Sequence, residues 1–356
     1  MPTTLPSLRL RPSPDPTPAS APRPSGSRTA PAGALAGRLL ATGAALALLV
    51  PAAATHAQPQ AWPSGPIRLM VPFAPGSNND TVGRLLGNSL QSSLGVPVVV
   101  ENRPGAGGNL GAEIAARANP DGQMLLLGNS SHAISVTLYD KLGYDLLRDF
   151  APVVLLGSAP YFLTVHPSLP AKTLKEVIAL ARARPEQLTI GSAGAGTYLW
   201  VELFQSAARI KATHVVYKGT PQVAAAVLSG EVSMGVVTTL NAIAQVKTGK
   251  LRGIAMTSER RSPLLAEVPT VIESGWPVLE AATWYGLLAP AAVPREVIAR
   301  LNAESLRALR QPELRERLDN MDIRAAGSTP EQFATFLRAE VQRWGKVVKD
   351  SGARPQ

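Results

Sequence analysis

Twice in this chain an apolar run breaks into a small glycine-containing loop and then into a helix-length stretch. IRLMV (67–71) leads into PFAPGSNND (72–80), and LTIG (188–191) leads into SAGAGT (192–197). A loop of this kind joins a strand to a helix at the carboxyl edge of an open α/β sheet, which is where such sheets hold their ligands. Used as a plain turn, the glycine allows a sharp change of direction. Used for binding, the bare backbone lets the unpaired first-turn N–H groups, at the positive end of the helix dipole, reach an anion. PGAGGNLG (104–111) is a third loop suited to the same job. Taken singly, each of the three fits either reading.

The surrounding segments narrow the fold. A helix is predicted near 81–94, followed by a strand at VPVVVEN (96–102), a helix near 109–118 and a strand at 123–127. VVLLG (153–157) and FLTVH (162–166) read as separate strands, with helices at 174–184 and 200–210 and strands at 188–192 and 214–219. Strands alternating with amphipathic helices predict an α/β architecture with open, mostly parallel sheets. Because the strand–loop–helix unit is duplicated, two lobes should face each other across a cleft.

Charge and composition remove several functional classes. The formal net charge is +10. Residues 1–57 hold five arginines (Arg9, Arg11, Arg23, Arg28 and Arg38) against Asp15, so that segment carries +4 and the rest +6. In the rest, Lys and Arg are scattered among acids, without the clustered basic face that a nucleic-acid partner requires. The absence of cysteine excludes disulfides, thiol catalysis and the usual structural zinc sites. Residues 2–31 are rich in Pro, Ser, Thr and Arg and should not pack. Arg38, LLATGAALALLVPAAA and THA then read as a secretory signal peptide cleaved near Ala57, with a disordered preamble and signal peptide over 1–57 and a soluble, periplasmic mature chain.

Catalytic signatures are thin. PGAGGNLG has Leu110 where a dinucleotide fingerprint needs its third glycine, GAGTYL has Leu199 there, and no GxxxxGK[ST] occurs. Neither GxSxG nor HExxH is present, and no cofactor or metal is expected. His132 follows Ser130 and Ser131, but a histidine bonded to backbone is the simpler account, and His166 and His214 look structural. Trp276 and Trp284 read as packing residues. Asp80 is most simply a helix cap or a loop brace; the sharper role is an acid accepting the ammonium of an amino-acid ligand.

IRLMVPFAPGSNNDTVGRLL, VVVENRPGAGGNLGAEIAARANPDG, LTIGSAGAG, VVYKGTPQ, GKLRGIAMTSERR, VPTVIESGWP and WYGLLAPAAVPREVIARLN, in that order, resemble the tripartite tricarboxylate transporter substrate-binding family, also called the Bug family. The resemblance runs from about Ile67 to the C-terminal helices. It implies a two-domain periplasmic-binding-protein fold of type II, the Venus flytrap. Domain 1 would be 58–158 with 282–356, and domain 2 would be 159–281. It also implies a monomeric, non-catalytic solute receptor that delivers a small organic carboxylate to membrane transporter subunits through transient contact. Carried over by motif, the first-domain pocket would use Phe73, Ala74, Pro75, Gly76, Ser77, Asn79 and Asp80, with Asn129 and Ser130. The second would use Ser192, Ala193, Gly194, Gly196, Thr197, Tyr217, Lys218, Gly219 and Thr220.

Some positions depart from the family pattern. Ser77 stands where a second glycine is usual, Tyr198 takes the place of a histidine, Val216 replaces a proline, and Ser233 and Val237 stand where acids are common. Losing two acids and a histidine points to a less polar carboxylate rather than an amino acid, with Tyr198 and Ser233 as the altered ligand positions. Two other functions use the same residues: a secreted α/β hydrolase with Ser131 or Ser192 as nucleophile, or a ligand sensor feeding a membrane signalling protein.

Overall fold

The structure, a computed structural model, describes residues 62–354, so the signal-peptide and cleavage readings lie outside the described residues. Its first half starts with β1 (Ile67–Val71), α1 (Asn78–Leu94), β2 (Val98–Asn102), α2 (Asn109–Ala116), β3 (Met124–Asn129) and α3 (Ser130–Leu138). The long strand β4 (Phe150–Val165) then leads to α4 (Leu174–Ala183), β5 (Thr189–Ala193), α5 (Gly194–Ala208), β6 (Thr213–Tyr217), α6 (Thr220–Leu228), β7 (Met234–Thr238), α7 (Thr239–Lys247) and β8 (Arg252–Met256). β9 (Ala282–Pro290) returns to the first half, followed by α8 (Arg295–Leu309), α9 (Pro312–Asp319), β10 (Arg324–Ala325) and α10 (Pro330–Ser351).

The strands lie in the order β2-β1-β3-β9-β4-β7-β5-β6, and β8 and β10 also pair with β4. The outer ladders are parallel: β1 with β2 and β3, and β5 with β6 and β7. The strands that join them, β4 and β9, pair antiparallel, so the sheet is mixed at its centre. Parallel strands covered by helices on both faces need apolar residues throughout. β1 follows that rule at four of its five positions, with Ile67, Leu69, Met70 and Val71 buried, while Arg68 is exposed and pairs with Glu101 on β2.

β4 is one continuous strand where the sequence predicts two. Ser158 and Pro160, between the predicted segments, stay extended because β9 runs alongside, pairing Ser158 with Trp284 and Pro160 with Ala282. The register shifts between Pro152 and Val154, where a residue without an N–H is tolerated in a ladder. β4 meets β9 and β10 up to Pro160 and meets β7 and β8 from Tyr161 onward, so it belongs to both halves of the sheet.

Helix packing follows from side-chain spacing. α1 buries Val82, Leu86, Leu90 and Leu94 at four-residue intervals, one stripe facing the sheet. Gly83 brings that helix close to β1, since a Cβ there would stand 2.7 Å from Val71 Cγ2. α10 begins with a capping box between Thr329 and Gln332 and buries Phe333, Leu337, Trp344 and Val348. Trp284 is packing, as expected: it is 1% exposed and meets Phe333 edge-on at 5.7 Å. One apolar cluster runs without a break from Met70, Ile134 and Trp284 to Ile190, Trp200 and Phe204, and a second, around Ile67, Leu86 and Leu301, lies within the first half.

Candidate functional site

The carboxyl ends of β1, β3, β5, β6 and β7 open onto one cavity of about 690 Å³. On the first-half side, Gly76 turns the loop at φ +77 and Ser77 Oγ accepts the Asp80 N–H at 3.2 Å, so Ser77 is the cap of α1. Asp80 is the brace. Its carboxylate accepts the Gly76 N–H at 2.9 Å and Asn102 Nδ2 at 3.0 Å, and it pairs with Arg84 at 3.0 Å. Burial alone would raise the Asp80 pKa, but the Arg84 guanidinium, the Gly76 N–H and the Asn102 amide outweigh it and hold the carboxyl below its usual range.

Asn129 caps α3, its Oδ1 accepting the Ser131 N–H at 3.0 Å while its Nδ2 donates to Asn79 Oδ1 at 3.2 Å. Two loop starts are thereby fixed to each other. His132 completes the cap, with Nδ1 accepting the Asn129 N–H at 3.1 Å. It is fully buried, and burial pushes its pKa down to about 4, so the ring is neutral and supports the backbone. Phe73 packs edge-on against this ring at 6.2 Å. Gly108, at φ +102, lies so near Phe73 that a Cβ would come within 2.9 Å of the phenyl ring.

The second-half side is built differently. α5, α6 and α7 all begin at the cleft, and none has a side-chain cap: their cap positions are Ala193, Gly219 and Thr238. At α5 and α7 the first-turn N–H groups are the donors that a helix leaves unpaired, at its positive end, whereas α6 adds only the Thr220 N–H, because Pro221 has none and the Gln222 N–H donates to the Gly219 carbonyl at 3.1 Å. Gly194, at φ +74, makes the turn into α5, and Thr197 Oγ1 closes it by accepting the Ala193 N–H at 2.8 Å. Asn241 Nδ2 ties the starts of α6 and α7 together through Thr220 and Thr238, each at 3.0 Å. Thr238 Oγ1 in turn donates to Asn78 Oδ1 at 3.2 Å, joining the two sides across the floor.

Of the residues expected at the site, Phe73, Ala74, Pro75, Ser77, Asn79, Asn129, Ala193, Gly194, Gly196, Thr197, Tyr198, Tyr217, Lys218, Gly219 and Thr220 line the cavity. The other five do not. Gly76 and Asp80 shape the first loop from behind. Ser130 is sealed beneath the floor, 3.2 Å from the Tyr161 hydroxyl and donating to Thr283 Oγ1 at 3.1 Å. Ser192 is fully buried under α5 against His214, at 2.7 Å. Ser233 precedes β7, and its N–H donates to Thr189 Oγ1 at 2.8 Å. It sits at the amino edge of the parallel strands, the wrong end for a ligand contact.

Several wall residues come from places that loop patterns do not mark. Tyr161, Thr283 and Tyr285 stand on β4 and β9, and only the β9 alternation of Thr283 with Tyr285 hints at a shared face. Asn78 and Ser131 adjoin motif residues, and Thr238 ends a strand that runs straight into a helix, a signal the glycine search passes over. Arg354, on the tail after α10, carried no local signal.

Among the described residues the wall contains no Asp, Glu or His, and its cations are Lys218 and Arg354. Such a site favours an anion and offers no acid to an ammonium group. Hydrolase chemistry is split between two places. Ser131 reaches the cleft, but the neighbouring imidazole is turned to backbone; Ser192 has its imidazole but no access. Among the described residues no group of three or more His, Cys, Asp or Glu is placed to hold a metal ion, and no helix is long and apolar enough to cross a membrane.

Comparison with known proteins agrees with this geometry. Protein BugT of Bordetella pertussis is 34% identical over 82% of this chain and 91% of its own length. The structure of Rhodopseudomonas palustris Rpa4515 with adipate matches with a TM-score of 0.78 at 31% identity, covering 83% of this chain and all of that one. MatC of the same organism, with bound malate, matches at 0.74 and 33% identity, covering 80% and 99%. BugD, a periplasmic binding protein, has the same fold, with a TM-score of 0.78 at 30% identity. Residues 82–353 match the model of the tripartite tricarboxylate transporter family receptor, and the chain belongs to that family of solute receptors.

Proposed function

We propose that this protein is a periplasmic receptor that takes a small organic carboxylate into the cleft between its halves and passes it, as a monomer, to membrane subunits of a tripartite tricarboxylate-type transporter. The observation that carries the reading is the wall itself. Three helix starts without side-chain caps and two cations border a cavity that, among the described residues, has no acidic side chain. A carboxylate there gains charge-assisted hydrogen bonds from backbone donors. Relatives of this fold with adipate and malate bound support the ligand class. The missing acids favour a carboxylate without an amino group.

On this reading the halves would be domain 1 (58–158 with 282–356) and domain 2 (159–281), with β4 and β9 as the connections about which the cleft would close. Titration calorimetry of the purified protein against mono-, di- and tricarboxylates and their amino-acid analogues tests the reading. Saturable one-to-one binding of a carboxylate is expected, with a stability gain of about 2.7 kcal/mol at a hundredfold excess over Kd. Binding confined to aspartate or glutamate, or absent across the panel, would overturn it.

A further inference from the structure

The C-terminal tail crosses from one half of the molecule to the other. α10 packs on α3 and β4 and ends at Gly352, whose φ of +66 breaks the helix. Two residues later the Arg354 carbonyl accepts the Tyr198 hydroxyl at 3.0 Å. Tyr198 lies in the first turns of α5, and its ring is held by stacking on His214 at 5.0 Å with the planes 16° apart. The tail is therefore pinned beside the start of α5, and Arg354 becomes part of the cleft wall.

Arg354 itself is exposed at that wall. Arg84, Arg117, Arg148 and Arg261 each have a carboxylate oxygen within 3.0 Å. Among the described residues none is so placed for Arg354, and none of those bordering the cavity is an acid. Apolar wall residues such as Phe73, Leu138, Tyr139 and Val216 suit a hydrocarbon spacer rather than a second polar group close to the first.

We infer that Arg354 is a specificity-determining residue: its guanidinium grips a second carboxylate of the ligand, so that the receptor prefers a diacid to the monoacid of equal chain length. Guanidinium and carboxylate match as a planar two-bond pair, which an ammonium does not reproduce. This inference rests on the carboxylate reading above and adds to it the residue that distinguishes the ligand's far end.

The test is calorimetry on the purified protein with three matched pairs: glutarate and pentanoate, adipate and hexanoate, pimelate and heptanoate. Wild type should bind the best diacid more tightly than its monoacid. Arg354→Gln should weaken that diacid about tenfold or more while changing the monoacid less than about twofold, and Arg354→Lys should recover part of the loss. Melting curves of the variants should match wild type, since Arg354 is exposed. Equal weakening of both acids, no weakening, or a wild type indifferent to the second carboxylate overturns the role of Arg354 and leaves the carboxylate reading standing. A wild type that binds none of the six also overturns the role of Arg354, and the carboxylate reading falls with it only if the wider panel of mono-, di- and tricarboxylates is silent too.

Discussion

Ser192 and His214 are joined by a 2.7 Å hydrogen bond between Oγ and Nε2, beneath the cleft wall rather than in it. Nδ1 of the same ring lies 2.7 Å from Glu202 Oε1, so hydroxyl, imidazole and carboxylate follow one another as in an acyl-transfer site. Ser192 is fully buried, and Tyr198 stacks on the imidazole. The chain of bonds fastens β5, β6 and α5 below the second anion loop.

Ser192→Ala should therefore change stability and spare chemistry. Leaving a buried imidazole nitrogen without its partner costs about 1–3 kcal/mol, readable as a lower urea midpoint. Ligand affinity should move by less than about threefold, a shift of under 1 kcal/mol. Ester hydrolysis that is present in wild type and vanishes in this variant would contradict the structural role.

Asp80→Asn should loosen the first loop. The change removes the charge that Gly76, Asn102 and Arg84 share, and hydrogen bonds to a charged group contribute about 1.5–3 kcal/mol. The folded pKa of Asp80 is depressed, so its contribution is present above the unfolded value near 3.8 and is lost as pH falls through the lower folded value. Urea midpoints of wild type and variant should thus differ at pH 7 and converge as pH falls below 3.8 through the folded value. A gap that stays constant across that range would show that the charge is not what matters.

His132 sets a second pH dependence, in a higher window. Its folded pKa, about 4, lies below the unfolded value of 6.5, so the unfolded chain binds the extra proton first. Stability should fall as pH drops from about 6.5 to about 4, by on the order of 3 kcal/mol over the whole interval. In His132→Asn, which lacks the titrating ring, that slope should be absent. The measurement is chemical denaturation at half-unit pH steps, and an unchanged slope in the variant would assign the effect elsewhere.

Two glycines of the second loop should fail in different ways. Gly194 sits at φ +74 with open space around it, the nearest atom to an added Cβ being Ser131 Oγ at 3.9 Å. Gly194→Ala should therefore cost only the left-handed backbone, about 1–2 kcal/mol. Gly196 has no positive φ, but an added Cβ would overlap the Tyr161 hydroxyl and crowd Ser130 Oγ at 3.3 Å. Gly196→Ala should push α5 off β4 and weaken ligand binding by about tenfold or more. Equal affinities for the two variants in calorimetry would sink this distinction.

The sequence made the two glycine loops legible because their signals are local: an apolar run, small residues, then a helical period. Together with the third glycine loop, that pattern gives about half of the wall. The helix start at Gly194 is earlier than the predicted 200–210 because the fold accepts two glycines in the first turn, where backbone must come near Tyr161. Ser233 was misplaced because a family pattern marks a residue without saying which end of the strand it occupies. Tyr161, Thr283 and Tyr285 were missed since long-range pairing alone brings β4 and β9 under the cleft. Arg354 depends on where a 22-residue helix happens to end, and no short motif encodes that.

The shared strand β4 limits what movement the molecule can make. Its ladder with β9 continues to Pro160, and its ladders with β7 and β8 take over at the next two residues, so no slack segment separates the halves at this crossing. Opening has to be accommodated as torsion spread along hydrogen-bonded ribbon, aided by the register shifts near Pro152 and Leu155, rather than as free swivelling at a flexible joint. The mouth should then part by a small angle along one fixed axis, and the dimensions of the solute admitted are decided largely before it arrives.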